Sequence, residues 1–434
     1  RPALSFPGPL RFWIAVLLTG VATGLAAATL TLLLEAVQQF TWSGSGVSLL
    51  AAASHAPAWR HVAVLLGAGL LTGAGQLVLT RLSSGNGIDT TTAIWFHAGR
   101  LPAVRTLGSA FLSVILVGMG VSLGREGAPK QAGAVFANFV SDLGRLSDEQ
   151  RRLLVASGAG AGMSAAYGVP LGGALFSLEV MRGILALRYV LPALFTSLIA
   201  TAVSWIALPD APTYLIPAYN NSVSVMVWAL LAGCLSGVVS VGYVRLIAWA
   251  DRNKPVGWRR LAAPVVGLTL LGLVSVWFPQ VLGNGKDASQ LAFTGQLAPA
   301  LLIALLVLKP AATILCVRAG APGGLFTPSL TLGALLGGVL GYAWSWFWPG
   351  VPPGLFAVIG AAAVMAATTQ GPLSTVVLMM ELTGRDRSFI MPMLLAAGIA
   401  TLVARSIEPR SIYEARLTDE QVEARVRIRN LPLP

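Results

Sequence analysis

Phe111-Leu112-Ser113-Val114-Ile115-Leu116-Val117-Gly118-Met119-Gly120-Val121-Ser122-Leu123 runs without a charge into Gly124-Arg125-Glu126-Gly127-Ala128-Pro129. A glutamate placed there, between two glycines at the end of an apolar run, stands where a membrane helix breaks. An ionisable group at membrane depth is expensive and by default functional. The bland alternative is a glutamate at the end of a span, facing headgroups. Flanking glycines open the backbone N–H groups to a ligand, and a helix starting here aims its positive dipole end at the same point. That chemistry suits an anion.

The rest of the chain fits this setting. Its 434 residues are 55% hydrophobic and 11% charged, with a mean hydropathy of +0.75. Globular chains carry about 25% charged residues, so a disordered chain and a soluble enzyme are excluded and a polytopic membrane protein is the default class. Continuous apolar runs such as Leu297 to Leu308 exclude the alternating ~10-residue strands of a membrane barrel, which makes the fold all-α. The 48 glycines and 26 prolines sit among apolar runs, where close packing and broken helices need them.

The net charge of +12 comes from basic residues spread between apolar runs. They read as cytoplasmic loops, with no aromatic-interleaved patch for nucleic acid. Cys234 and Cys316 lie in apolar stretches, and His55, His61 and His97 are not paired at helical spacing. No metal or organic cofactor is implied, and no segment pairs titratable groups in the manner of a membrane enzyme.

Apolar segments lie near 13–39, 62–81, 104–123, 190–207, 224–250, 260–278, 298–317, 355–367 and 388–405. The first, Trp13 to Leu34, is too long for a signal-peptide core and reads as a retained span. Gly-rich stretches near 126–140, 153–166, 171–182, 325–343 and 371–383 are too short or interrupted for simple spans. Irregular backbone at membrane depth is tolerated where it lines a cavity or is buried in protein, so these stretches locate the working part. Ser147-Asp148-Glu149-Gln150 has the form of a capping box at the membrane edge.

A repeat divides the chain. Gly168-Val169-Pro170-Leu171 is followed by Glu179, and Gln370-Gly371-Pro372-Leu373 by Glu381, each nine residues past its proline, with the prolines 202 apart. Gly124-Arg125-Glu126-Gly127 and Gly324-Leu325-Phe326-Thr327 keep nearly the same offset. We divide the chain into an N-terminal cytoplasmic segment (1–12), two membrane repeats (13–210 and 211–407) and a short C-terminal cytoplasmic segment (408–434), with no large domain after it. Duplicated membrane units place their ion site at the repeat interface, on discontinuous helices.

In order, Gly85-Asn86-Gly87-Ile88-Asp89, Gly124-Arg125-Glu126-Gly127-Ala128, Gly323-Gly324-Leu325-Phe326-Thr327-Pro328 and Ser411-Ile412-Tyr413 resemble the signature elements of the CLC chloride channels and transporters. The likeness extends over nearly the whole chain, including Ala165-Ala166-Tyr167-Gly168-Val169-Pro170-Leu171 and Phe176-Ser177-Leu178-Glu179. It implies a CLC-type fold of two inverted-topology repeats, in a homodimer with one anion pathway per subunit. Glu126 would be the gating glutamate, occupying an anion site and swinging away when protonated. Tyr413 would offer its hydroxyl to the central anion. Asn86 and the amides of Gly127, Leu325 and Phe326 would help to hold anions. The dimer contact would use 171–182, 190–207, 371–383 and 388–405. Chloride is then the bound substrate, and the partners are a second copy, lipid and small inorganic anions.

Three departures bear on mechanism. Asn86 stands where a serine is usual, which leaves chloride against nitrate or fluoride open. Ala128 replaces the usual proline, with Pro129 one place later, a position proline suits. Val180 stands where proton-coupled members place an inner glutamate, next to Glu179. Valine cannot titrate, and adjacent helical residues point about 100° apart. The expectation is therefore channel-like or uncoupled chloride conduction, with proton-coupled exchange as the alternative. A secondary transporter of another anion, pairing its substrate with Arg125, Lys130 or Lys309, is the further one. With 25 arginines to four lysines, the composition points to a GC-rich bacterial source and an inner membrane.

Overall fold

The computed structural model describes residues 10–43, 48–82, 89–219, 222–384, 389–415 and 417–423. Their regular structure is helical. The first half contains α1 (Leu10–Trp42), α2 (Leu49–Ser54), α3 (Ala58–Leu82), α4 (Thr90–Phe96), α5 (Ala103–Gly118), α6 (Gly127–Leu143), α7 (Asp148–Tyr167), α8 (Pro170–Phe176) and α9 (Leu187–Ser204), with a π-helical turn at Ser177–Arg182 closing α8. The second contains α10 (Val223–Arg252), α11 (Arg259–Trp277), a single 3₁₀ turn (Pro279–Val281), α12 (Lys286–Phe293), α13 (Pro299–Arg318), α14 (Phe326–Phe347), α15 (Pro353–Thr369), α16 (Pro372–Thr383) and α17 (Ile390–Ile407).

Packing repeats with the sequence. In the first half α1 lies on α9 and α6 on α7; in the second α10 lies on α17 and α14 on α15. The first of these contacts is made the same way twice, through glycines four apart. A Cβ on Gly24 would stand 2.5 Å from the Ala200 carbonyl oxygen, and one on Gly237 2.8 Å from that of Ala400. Small residues at this spacing let membrane helices approach closely, where packing and not hydrophobicity holds them. Equivalent elements also meet across the pseudo-two-fold axis, α3 on α11 and α8 on α16. At its centre Gly124 and Gly324 form an antiparallel bridge, each N–H donating to the other's carbonyl at 2.7 and 2.8 Å. The halves therefore run in opposite senses where they touch.

Among the described residues eight helices are long and apolar enough to cross a bilayer. The stretch near 325–343, expected to be too short, is one of them. Its helix α14 runs 22 residues, because the apolar pattern continues through Tyr342, Trp344 and Phe347 to the Trp348 cap. The stretch near 355–367 gives a 17-residue α15, bounded by Pro353 and by Gln370 in the left-handed region (φ 57). The interrupted helices α6, α8 and α16 begin at glycine or proline turns, as expected. At the membrane edge Ser147 accepts from Gln150 N–H while the Gln150 side chain accepts from Ser147 N–H, so the predicted capping box is formed.

Candidate functional site

The Gly124–Gly324 bridge fixes what lies beside it. Glu126 is the N-cap of α6, and its side chain turns across the bridge to the start of α14. Its Oε1 accepts from the Phe326 N–H at 2.7 Å and the Thr327 N–H at 3.4 Å, and its Oε2 from the Thr327 hydroxyl at 2.9 Å and the Tyr167 hydroxyl at 3.4 Å. Glu126 is 3% exposed. A buried carboxylate needs compensation, and these partners supply it with neutral donors and the positive end of the α14 dipole. Side chains at the bridge would push the Glu126 carboxylate out of this position, since a Cβ on Gly124 or on Gly324 would collide with it.

Two cavities approach Glu126 through its chain neighbours. One, about 450 Å³, is lined by Arg125 together with Glu35, Asn284, Lys286 and Asp287. The other, about 870 Å³, is lined by Gly127, Lys130, Gly324, Leu325 and Tyr413. The Tyr413 ring meets the Phe176 ring edge-on at 5.7 Å, Phe176 meets Phe326 at 6.3 Å, and the Lys130 ammonium lies 4.4 Å from the Tyr413 centroid. An aromatic wall thus connects Tyr413 to the residue whose amide holds Glu126. On the other side the Arg125 guanidinium rests on the Tyr167 ring, 4.6 Å from its centroid.

Of the residues singled out from the sequence, Glu126, Gly127, Leu325, Phe326 and Tyr413 come together here. Asn86 lies outside the described residues. Glu179 and Val180 are elsewhere: Glu179 accepts from the Leu373 and Ser374 N–H groups at 3.2 and 2.6 Å, which makes it the carboxylate at the start of α16. Val180 is buried, on the π-helical turn. Tyr167 and Thr327 were given no role from the sequence. Both lie in quoted motifs, but nothing local says that a hydroxyl 160 residues away meets them.

Near Val180, Glu149 accepts from the Arg182 guanidinium at 2.6 Å and the Tyr189 hydroxyl at 2.7 Å. Burial works against ionisation of Glu149, but the Tyr189 hydrogen bond and the Arg182 charge outweigh it and hold this carboxyl below its usual range.

The fold that brings together these broken helices and the buried carboxylate is one that known proteins share. The chain is 29% identical to an H(+)/Cl(-) exchange transporter, ClcA, of Cronobacter sakazakii, over 94% of this chain and 90% of the relative. It is 30% identical to one of Yersinia pestis, over 97% and 90%. Its fold matches the crystal structure of a slow cyanobacterial Cl-/H+ antiporter with a TM-score of 0.83 and 22% identity, covering 96% of this chain and 99% of that one. The model of the family described as voltage gated chloride channel matches residues 68–405. With most of the chain inside that match, this multi-pass membrane protein belongs to the CLC family of anion channels and transporters.

Proposed function

We propose that the protein exchanges chloride for protons across a bacterial inner membrane, with Glu126 as the gate of each subunit in a homodimer of two-repeat chains (13–210 and 211–407, flanked by 1–12 and 408–434). The observation that carries this reading is the Glu126 carboxylate on the Phe326 and Thr327 amides. A carboxylate held by amide and hydroxyl donors at a helix N-terminus occupies a place that suits a halide equally well. Protonation removes the charge that α14 attracts, the side chain leaves, and chloride takes over the donors. Leu325, Gly127 and Tyr413 line the cavity that delivers the anion, and Asn86 contributes where chloride is told from nitrate or fluoride. Neutral donors bind a monovalent anion without trapping it, as conduction requires. Relatives named as H(+)/Cl(-) exchange transporters support the coupling to protons.

One observation favours a second reading, uncoupled conduction. Val180 cannot titrate, and the neighbouring Glu179 is engaged on α16. The two readings separate in liposomes loaded with chloride, with external pH recorded during efflux and no protonophore present. Exchange predicts uphill proton entry driven by outward chloride. Chloride efflux without proton movement, once a potassium ionophore balances charge, would overturn exchange and leave the passive pathway.

A further inference from the structure

Thr327 and Tyr167 place two hydroxyls where the gate is held. The Tyr167 oxygen is 2.9 Å from Thr327 Oγ1, which is 2.9 Å from Glu126 Oε2. While Glu126 is ionised its carboxylate only accepts, so the shorter contact, from Thr327 at 2.9 Å, brings a proton to Oε2, and the Tyr167 proton is shared between Thr327 Oγ1 at 2.9 Å and Oε2 at 3.4 Å. Thr327 spends its single proton on Oε2, which leaves its oxygen free to accept from Tyr167. The three oxygens form a directional chain ending on the negative charge, and such chains strengthen each bond in a low-dielectric site. A protonated carboxyl carries no charge and brings a donor of its own beside its remaining acceptor capacity, so the same chain holds it less strongly.

The chain is rigidly supplied. Tyr167 is the last residue of α7, 7% exposed, and its ring is covered by the Arg125 guanidinium. Thr327 is the second residue of α14 and 2% exposed. We propose that Tyr167 and Thr327 are positioning residues, a hydroxyl latch that holds the ionised Glu126 carboxylate in the anion position and sets how acid the medium must be to release it. The inference rests on the reading of Glu126 as the gate. The other ionisable groups around this carboxylate are Arg125 beside it in the chain, Lys130 one turn along α6, and the phenols of Tyr243 on α10 and of Tyr413. Tyrosines ordinarily titrate near pH ~10 and arginine and lysine above that, so a shift in the acid to neutral range does not come from these neighbours.

The test is chloride efflux from liposomes across the acid to neutral range. Thr327→Val keeps the shape and removes the hydroxyl. It should raise the pH of half-maximal flux by about 1–2 units, the size of one hydrogen bond to a charged group. Tyr167→Phe should shift it in the same direction by less, and Thr327→Ser should restore the wild-type profile. In a Glu126→Gln background Thr327→Val should leave the profile unmoved. A wild-type midpoint in both Thr327→Val and Tyr167→Phe, with Glu126→Gln still altering flux, overturns the latch and keeps the gate. Should Thr327→Val fail to fold, Tyr167→Phe and Thr327→Ser decide by the same midpoints. Unchanged flux and pH profile in Glu126→Gln would remove the gate, and the latch with it.

Discussion

Glu179 and Glu381 cap each other's helices. The Glu179 carboxylate takes the Leu373 and Ser374 amides that open α16, nine residues before Glu381, and the Glu381 carboxylate takes the Leu171 and Gly172 amides that open α8, at 3.0 and 2.7 Å. Each half of the chain thus satisfies the orphan donors of the other. The nine-residue spacing from proline to glutamate, seen twice in the sequence, is the length of helix needed to complete this exchange.

Removing either cap should therefore cost about the same. Glu381→Ala and Glu179→Ala each lose an N-terminal cap and its favourable charge, about 1–2 kcal/mol. Thermal unfolding of the purified protein in detergent measures both. A large loss for one and none for the other would mean that the exchange is a geometric echo with no shared energetic role.

Tyr413→Phe keeps the ring on Phe176 and removes only the hydroxyl. The expected outcome is weaker chloride binding by calorimetry with an unchanged unfolding temperature. Unaltered binding would take the Tyr413 hydroxyl out of the site.

Lys309 spends all three ammonium protons on backbone carbonyls, those of Val281, Leu282 and Gly283, at 2.8, 3.2 and 2.7 Å. It pins the turn that presents Asn284, Gly285 and Lys286 to the cavity beside Arg125. Lys309→Met orphans buried acceptors, at about 1–3 kcal/mol for each one left dry. Lys309→Arg should not rescue it, since a planar fork does not match three converging carbonyls. Loss of thermal stability in both variants checks this, and a stable Lys309→Met would show that water replaces the ammonium.

Acid should loosen the segment that carries Tyr413. Glu408 accepts from Arg410 at 2.8 Å and Arg245 at 3.1 Å. Burial works against its ionisation, but these guanidinium bonds outweigh it and hold its carboxyl below the usual range. A depressed folded-state value means that the contribution is complete above the ordinary carboxylate pKa of about 4.3 and is lost as pH falls through the depressed one. The contribution is modest, because the Arg245 side chain is 58% exposed and screened by water. Hydrogen exchange of the 408–415 amides should quicken as pH falls through this region, after correction for intrinsic rates. Glu408→Gln should abolish that pH dependence.

The amino-acid sequence by itself determined the class, the repeat and the place of the buried glutamate. Hydropathy, glycine turns and the offset of about 200 residues between Glu126 and Phe326 are written along the chain, because membrane burial and turn chemistry act on neighbours in sequence. Only the tertiary structure decided which donor faces which acceptor. Glu179, marked in the sequence only by its nine-residue spacing from Pro170 and its place beside Val180, closes α16, and Tyr167 and Thr327 hold Glu126. Those pairings span 41 to 201 residues. They exist because two antiparallel halves lay their helix N-termini against each other at Gly124 and Gly324, and the exposed amides of each half must find oxygen where there is no water to provide it.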